Sequence, residues 1–216
     1  MRAGETLACG ALSGGARVYL CVRGGFDVPR VFGSASTHLS TAMGGYDGRA
    51  LKGDDRLLVG PSAARAPFGR LVEPLTIPGY RPGEPFRVTE GPQASWFAPE
   101  VRARLYETDW RVSPACDRMG IRLSGGELAL VAPRELVTEG VCLGAVQVPP
   151  GGQPIVLFVE HQTTGGYPKI ANVIAADLAR LGSLRAGDAA HFSRATISQA
   201  RALLRAQEEA IDALFD

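Results

Sequence analysis

The sequence predicts a mainly β protein of barrel-like or sandwich-like build, closed by a C-terminal helix. Three observations carry this. Glycine and proline are plentiful, 27 and 15 in 216 residues, which marks many turns and short strands rather than long helices. A turn pattern recurs in "RAGETLACG" from Arg2, "KGDDRLLVG" from Lys52, "RPGEPFRVTEG" from Arg81 and "RAGDAAHFS" from Arg185. Each has a basic residue, then Gly followed by Asp or Glu. Gly supplies a positive φ and the acid caps the turn amides, so each turn marks entry to a strand. The third observation is a run of apolar residues at helical spacing over the last twenty positions.

The strands are expected, in order, at "ARVYLCVRG" from Ala16, "DRLLVG" from Asp55, "PFRVTEG" from Pro85, "VRARLYETDWRVS" from Val101, "IRLSG" from Ile121, "GAVQVP" from Gly144 and "PIVLFVE" from Pro154. All are rich in Val, Leu, Ile and aromatics and are bounded by Gly or Pro. "APEVRARLYET" also admits a helix start after Pro99. Asn172 to Gly182 reads as a helix with a terminal glycine. "TISQARALLRAQEEAIDALFD" is the clearest helix, capped by Thr196 or Ser198, with Ile197, Leu203, Leu204, Ile211 and Leu214 forming its apolar face. The Pro-, Gly- and Ala-rich stretch from Pro61 to Pro85 reads as a connection. The expected division is therefore residues 1–60 as a piece of a larger N-terminal domain, 61–85 as the connection, 86–195 as a C-terminal barrel and 196–216 as the helix.

Composition narrows the function. Hydrophobic residues make up 45% and charged residues 21%, with a net charge of +1. This is a globular composition, with no electrostatic reason to bind nucleic acid or an anionic membrane. No apolar run approaches the roughly 18 residues of a membrane span, and the N-terminus has no signal-peptide core. The default expectation is a cytoplasmic protein. Cys9, Cys21, Cys116 and Cys142 form no CxxC pair and read as reduced, mostly buried thiols. His38, His161 and His191 have no ligand spacing, so no metal site is expected.

The chemistry concentrates in "EHQTTGGYPKIANV" from Glu160. Gly165 and Gly166 admit a close ligand and offer amides to an anion. Thr163 and Thr164 offer hydroxyls, Gln162 both donates and accepts, and Tyr167 stacks or donates. Lys169 brings a positive charge for a carboxylate or developing oxyanion. A Gly-Gly hairpin with a surface lysine is the plainer alternative. The region Pro149–Ala171 is expected to line the principal concave site, with Lys169 directed toward it. Asp117 reads as a general base, or as the carboxylate that holds Arg118 or Arg122; a surface ion pair is the plainer reading. Glu139 stands at a turn as a further acid–base or network candidate. Gln147, in a strand among apolar residues, needs partners or a ligand. "GSAST" from Gly33 reads as an oxyanion-type loop or a turn capped by Ser34. No P-loop is present.

The stretches "GGFDVPRVFGSASTHLSTAMGGYDGRALKGDDRL", "DRMGIRL", "EGVCLGAVQVPPGGQPIVL" and "QTTGGYPKIANVIAADLARLGSLRAGD" resemble the biotin-dependent carboxyltransferase family. That family includes allophanate hydrolase subunit 2, the Kip inhibitor antagonist and the C subunit of 5-oxoprolinase. The resemblance implies cyclophilin-like β-barrel architecture, with the first barrel incomplete because members extend further at the N-terminus. It implies one component of an ATP-dependent 5-oxoprolinase, opening 5-oxoproline to glutamate with two partners, an A-like subunit and a Kip inhibitor-like B subunit. ATP would be shared with those partners. The alternatives are the carboxyltransferase component of a urea carboxylase-type system, served by a separate biotin carrier, and a non-catalytic antagonist of a kinase inhibitor. Under the first reading Lys169, Asp117 and Glu139 are catalytic, and Gln162, Thr163, Thr164, Gly165, Gly166, Tyr167, Gln147 and Arg118 bind substrate. Where members carry Arg in a "GSRST" motif this chain has Ala35, which removes a guanidinium able to clamp a carboxylate. The chain is expected to depend on partner subunits, with exposed apolar surface around "ARVYLCV".

Overall fold

The computed structural model of the chain describes residues 4–12, 15–62 and 83–213. Most of the expected connection from Pro61 to Pro85 lies outside the described residues, as does Leu214. The chain divides into two compact units, one comprising Met1–Arg17 with Pro74–Asp216 and the other Val18–Glu73.

Within Val18–Glu73, strands β1 (Phe26–Asp27) and β2 (Leu58–Val59) form an antiparallel ribbon. Arg49 and Asp55 make a two-pronged ion pair of 2.8 and 2.9 Å. The Arg49 hydrogen bond, followed by the Lys52 amide, holds the Asp55 carboxyl far below the usual range. "GSAST" is a turn in which the Ser34 hydroxyl accepts the Ser36 amide at 3.1 Å. The strand expected from Ala16 is not formed among the described residues. Val18, Tyr19 and Leu20 are exposed, and no neighbour supplies the ladder that a β-prone run needs.

Among the described residues the larger unit carries ten strands. They are β3 (Phe86–Glu90), β4 (Trp110–Val112), β5 (Gly120–Ser124), β6 (Glu139–Gly140), β7 (Ala145–Gln147), β8 (Ile155–Leu157), β9 (Thr164–Gly165), β10 (Lys169–Val173), β11 (Ala189–Ala190) and β12 (Phe192–Arg194). Helices α1 (Pro99–Glu107), α2 (Leu178–Leu181) and α3 (Ile197–Asp212) complete it. Eight strands form one sheet in the order β11-β4-β5-β8-β7-β10-β3-β12. The two ends of that sheet are consecutive in the chain. β11 pairs with β4, and β12, two residues on, pairs parallel with β3. One short segment thus stitches both edges of a nearly closed barrel and removes the open edge that invites aggregation. This is the mainly β, barrel-type architecture that the sequence implied.

The turn chemistry acts as expected, with one shift. Arg185 donates its amide to the Asp188 carboxylate at 2.8 Å, and Gly187 sits at φ +88° before β11. Lys52 donates to Asp55 at 2.7 Å, but there Asp54 rather than Gly53 takes the positive φ. The barrel interior is filled by Trp110, Phe97, Leu105, Leu123, Val146 and Val156, each at most 1% exposed. Each such side chain contributes about 1.5–3 kcal/mol on burial. The Trp110 indole donates to the Leu105 carbonyl at 3.0 Å.

Three expectations are corrected. "VRARLYETDWRVS" is not one strand. Its first part is α1, with Pro99 at the first turn and only Leu105 buried, and its alternation at Val101 and Leu105 is also an i,i+4 helical pair. Asn172 to Gly182 is not one helix. Asn172 and Val173 pair with Thr89 and Val88 in β10, and only Leu178–Leu181 is α-helical. The cysteines are unpaired but not mostly buried. Cys9, Cys21 and Cys142 are exposed and Cys116 is half-buried, because the three exposed ones lie outside the sheet. The C-terminal helix begins where expected, with Thr196 and Gln199 forming a reciprocal capping box. No residue of α3 is fully buried. Its inner face is Ala200, Leu203, Gln207 and Ala210, while Ile197 and Ile211 are exposed.

Candidate functional site

Lys169 opens β10, and the surrounding backbone grips it from one side. Gly91 and Gln93, in the loop after β3, donate amides to the Ile170 and Lys169 carbonyls at 2.9 and 3.2 Å. The Gln93 side-chain oxygen accepts the Lys169 amide at 3.0 Å. On the other side Lys169 faces Gln147 of β7. The register of β10 slips between Lys169 and Ala171, and Lys169, Ile170 and Ala171 are all buried. A bulge of this kind re-aims a side chain out of strict alternation. It is what allows a lysine beside an isoleucine to turn inward.

The Lys169 ammonium is 2.5 Å from Glu139 Oε1, and the lysine side chain is 4% exposed against 42% for the glutamate. Glu139 is the ion-pair partner of the ammonium among the described residues, while the equally buried Gln147 Nε2 has no hydrogen-bond acceptor there. Gln93 Nε2 donates to the same Glu139 oxygen at 2.9 Å. Lys169 first, then Gln93, hold the Glu139 carboxyl below its ordinary value of 4.5. Glu139 is thus a fixed carboxylate rather than a proton donor at neutral pH. Gln162 Nε2 reaches Gln147 Oε1 at 3.4 Å. The arrangement joins five polar side chains around two buried donors, Lys169 Nζ held by Glu139 and Gln147 Nε2 with no acceptor among the described residues. A buried unpaired donor costs about 1–3 kcal/mol. A ligand oxygen would satisfy Gln147 Nε2 and give the Lys169 ammonium a second partner.

β6 and β9 hold the remaining parts. Glu139 pairs with Gly165 and Gly140 with Thr164, and the Val141 amide donates to the Thr163 carbonyl at 3.1 Å. Neither Gly165 nor Gly166 has a positive φ. Gly165 is required by close approach, because a Cβ there would lie 2.7 Å from Gln147 Nε2. Gly165→Ala is expected to displace the buried Gln147 amide and cost about 1–3 kcal/mol, measured by chemical denaturation; an unchanged midpoint would show that the amide has room to move. Thr163, Thr164 and Gly166 are exposed.

Asp117 and Arg118 stand apart from this cluster. The Asp117 carboxylate accepts the Met119 and Gly120 amides at 2.8 and 3.1 Å, capping its own turn. Arg118 pairs with Glu160 at 2.9 Å on the surface. Neither makes a hydrogen bond or ion pair with Lys169 or Glu139 among the described residues. A groove of about 810 Å³ runs alongside, with Pro149, Pro150, Gly166, Tyr167 and Pro168 on one wall and Leu128, Leu130 and Leu136 on the other. Lys169 is not among its lining residues; its side chain turns to Glu139 instead. Gln93 was not singled out from sequence. Its only signal was a glutamine just past a strand end, 76 residues from its partner. Among the described residues no cluster of His, Cys, Asp and Glu is disposed to hold a metal ion, and no helix is long and apolar enough to cross a membrane.

The sign of the Glu139 shift sets a pH expectation. A carboxyl depressed in the folded state adds stability above its ordinary value, and that stability is lost as pH falls through the folded value. The difference in thermal midpoint between the wild type and Glu139→Gln is therefore expected to stay constant between about pH 5 and 8 and to narrow only in stronger acid. A difference that stays flat through stronger acid as well would mean that folding does not shift the carboxyl.

The family model for the carboxyltransferase domain, subdomain A and B, matches residues 1–194. The chain is 40% identical over 200 residues to the C subunit of 5-oxoprolinase from Escherichia coli K12, covering 93% of this chain and 63% of that protein. It is 36% identical over 213 residues to the Haemophilus influenzae protein of the same name, covering 98% of this chain and 67% of that one. The chain thus spans about two thirds of the length of these relatives. Among solved structures, the K. lactis urea amidolyase superposes with a TM-score of 0.75 at 29% identity, over 88% of this chain and 13% of that one. With its barrel sheet and its sequence in agreement, the chain belongs to the family of the carboxyltransferase domain, subdomains A and B.

Proposed function

We propose that this chain is the substrate-binding component of an ATP-dependent 5-oxoprolinase-type amidohydrolase, opening 5-oxoproline to glutamate with A-like and B-like partner subunits. The observation that carries this reading is the buried Gln147 Nε2, which has no acceptor among the described residues, beside the buried Lys169 ammonium, whose ion-pair partner there is Glu139. A cyclic amide that also bears a carboxylate offers only acceptor oxygens on that side, which such a pair matches. Lys169 supplies the positive charge that favours negative charge growing on the ligand oxygen. Glu139, held as a carboxylate by Gln93, fixes the ammonium. The likeness to the C subunits of the two bacterial 5-oxoprolinases supports the substrate class.

The cluster offers one ammonium already paired with a carboxylate, which does not match a triphosphate. Nucleotide handling therefore belongs with the partners, and no step on this chain runs through it. The test is glutamate release from 5-oxoproline with ATP, with and without the partner subunits. The expected result is turnover only in the complete mixture, while complete mixtures of verified folded subunits that release no glutamate would overturn the reading.

A second reading is carboxyl transfer to a urea-like acceptor, supported by the family description and by the likeness to urea amidolyase. The same two donors fit a urea carbonyl. It predicts carboxylation of urea by a carrier bearing carboxybiotin, which is left as biotin, and no glutamate release.

A further inference from the structure

The last helix has a surface that the proposed site does not use. α3 rests on Ala175–Asp177, and Gln207 Nε2 donates to the Ala176 carbonyl at 3.3 Å. With about 100° between successive residues, Ile197, Leu204 and Ile211 fall on one line, seven residues apart. This line borders the inner face. Ile197 is 69% exposed and Ile211 37%, with Leu204 half-buried. Immediately beside it runs a second line of Arg201, Arg205, Glu208 and Asp212. None of these four makes an ion pair among the described residues.

The order of those charges is only partly favourable within the helix itself. Arg201 and Arg205 are like charges at i,i+4, and so are Glu208 and Asp212, and these spacings work against the favourable ones of Arg205 with Glu208 and Glu209. The bases precede the acids, with no acid in the first turn and no base in the last, the reverse of what the helix dipole favours. Laid antiparallel against an identical helix, the ends of the line become complementary, Arg201 against Glu208. Base faces acid at both ends, and the dipoles oppose.

We propose that α3 is a homotypic docking surface. A second copy of this chain lays its own α3 antiparallel along it. Ile197 meets Ile211 of the copy, Leu204 meets its counterpart, and Arg201 faces Glu208 of the copy at each end, while Arg205 lies near the centre beside its own counterpart. The apolar line forms the seam and the charge line its rim, which sets orientation and register. A single helix pair buries less than the roughly 1,200 Å² of a standard interface. The dimer is therefore expected to form only on the order of 10–100 µM, as a weak, concentration-driven contact.

Sedimentation velocity on the whole 216-residue chain, in reductant because three cysteines are exposed, tests this over about 5–500 µM, a span bracketing the expected midpoint. The wild type is expected to pass from monomer to dimer by mass action. Ile211→Glu should raise the midpoint at least about tenfold, and Arg201→Glu should raise it several-fold. Arg201→Glu with Glu208→Arg should return it to within about threefold of the wild type. All of these positions are exposed or at the helix rim, so unchanged thermal melts show that each variant is folded. A wild type that stays monomeric throughout overturns the proposal. So does association of any size that is equal in Ile211→Glu, or a charge reversal that the double exchange leaves uncorrected.

Discussion

Lys169→Met is expected to lower the rate of glutamate release in the assembled enzyme by about 10²–10³-fold, the size of effect seen when a buried donor to a developing oxyanion is removed. The chain should stay folded. Met has nearly the length of the lysine stem, and Glu139, 42% exposed and still bonded to Gln93, is not left as a stranded buried charge. The loss should therefore appear in kcat/KM at an unchanged thermal midpoint. A variant that turns over within about threefold of the wild type would remove Lys169 from the chemistry.

Asp177→Ala is expected to have the largest effect on stability. Asp177 is fully buried and accepts from the Arg87 amide at 2.7 Å and the Arg87 guanidinium at 3.0 and 2.5 Å. Arg180, 4% exposed, lies 3.6 Å away and stacks on the Phe86 ring at 4.6 Å. This carboxylate fastens the turn Ala175–Asp177 to β3, and α3 rests on that same turn. Removing it strands a buried guanidinium, at a cost of about 3–5 kcal/mol. For a unit of this size that is a fall of about 10 °C in melting temperature. A loss below about 1 kcal/mol would show that water replaces the carboxylate.

How far the sequence disclosed this structure depended on the range of the deciding interaction. β3, β5, β7 and β8 lie on the apolar runs between Gly and Pro, because burial and turn chemistry are both local there. α1 was ambiguous because Val101, Ala103 and Leu105 satisfy a period of two and an i,i+4 pair alike; burial of Leu105 alone resolves it. The run from Ala16 shows the opposite failure, where strong β propensity found no ladder partner. At the site, sequence supplied Lys169, Gln147, Gln162, Gly165 and Glu139 as candidates, and the fold brings these five together. It did not supply Gln93, whose role exists only once β3 and β10 pair. It also could not show that Asp117 caps its own turn, since a carboxylate beside two arginines reads the same in either role. The reason for Gly165 was likewise not local. The glycine makes space for an amide from another strand rather than adopting a special backbone angle.

A ligand oxygen is expected to bridge Lys169 Nζ and Gln147 Nε2. In a crystal structure of the assembled enzyme with 5-oxoproline bound, a carbonyl or carboxylate oxygen of 5-oxoproline should lie within hydrogen-bonding distance, about 3 Å, of both atoms. A ligand bound elsewhere, with Lys169 still paired only to Glu139, would contradict this.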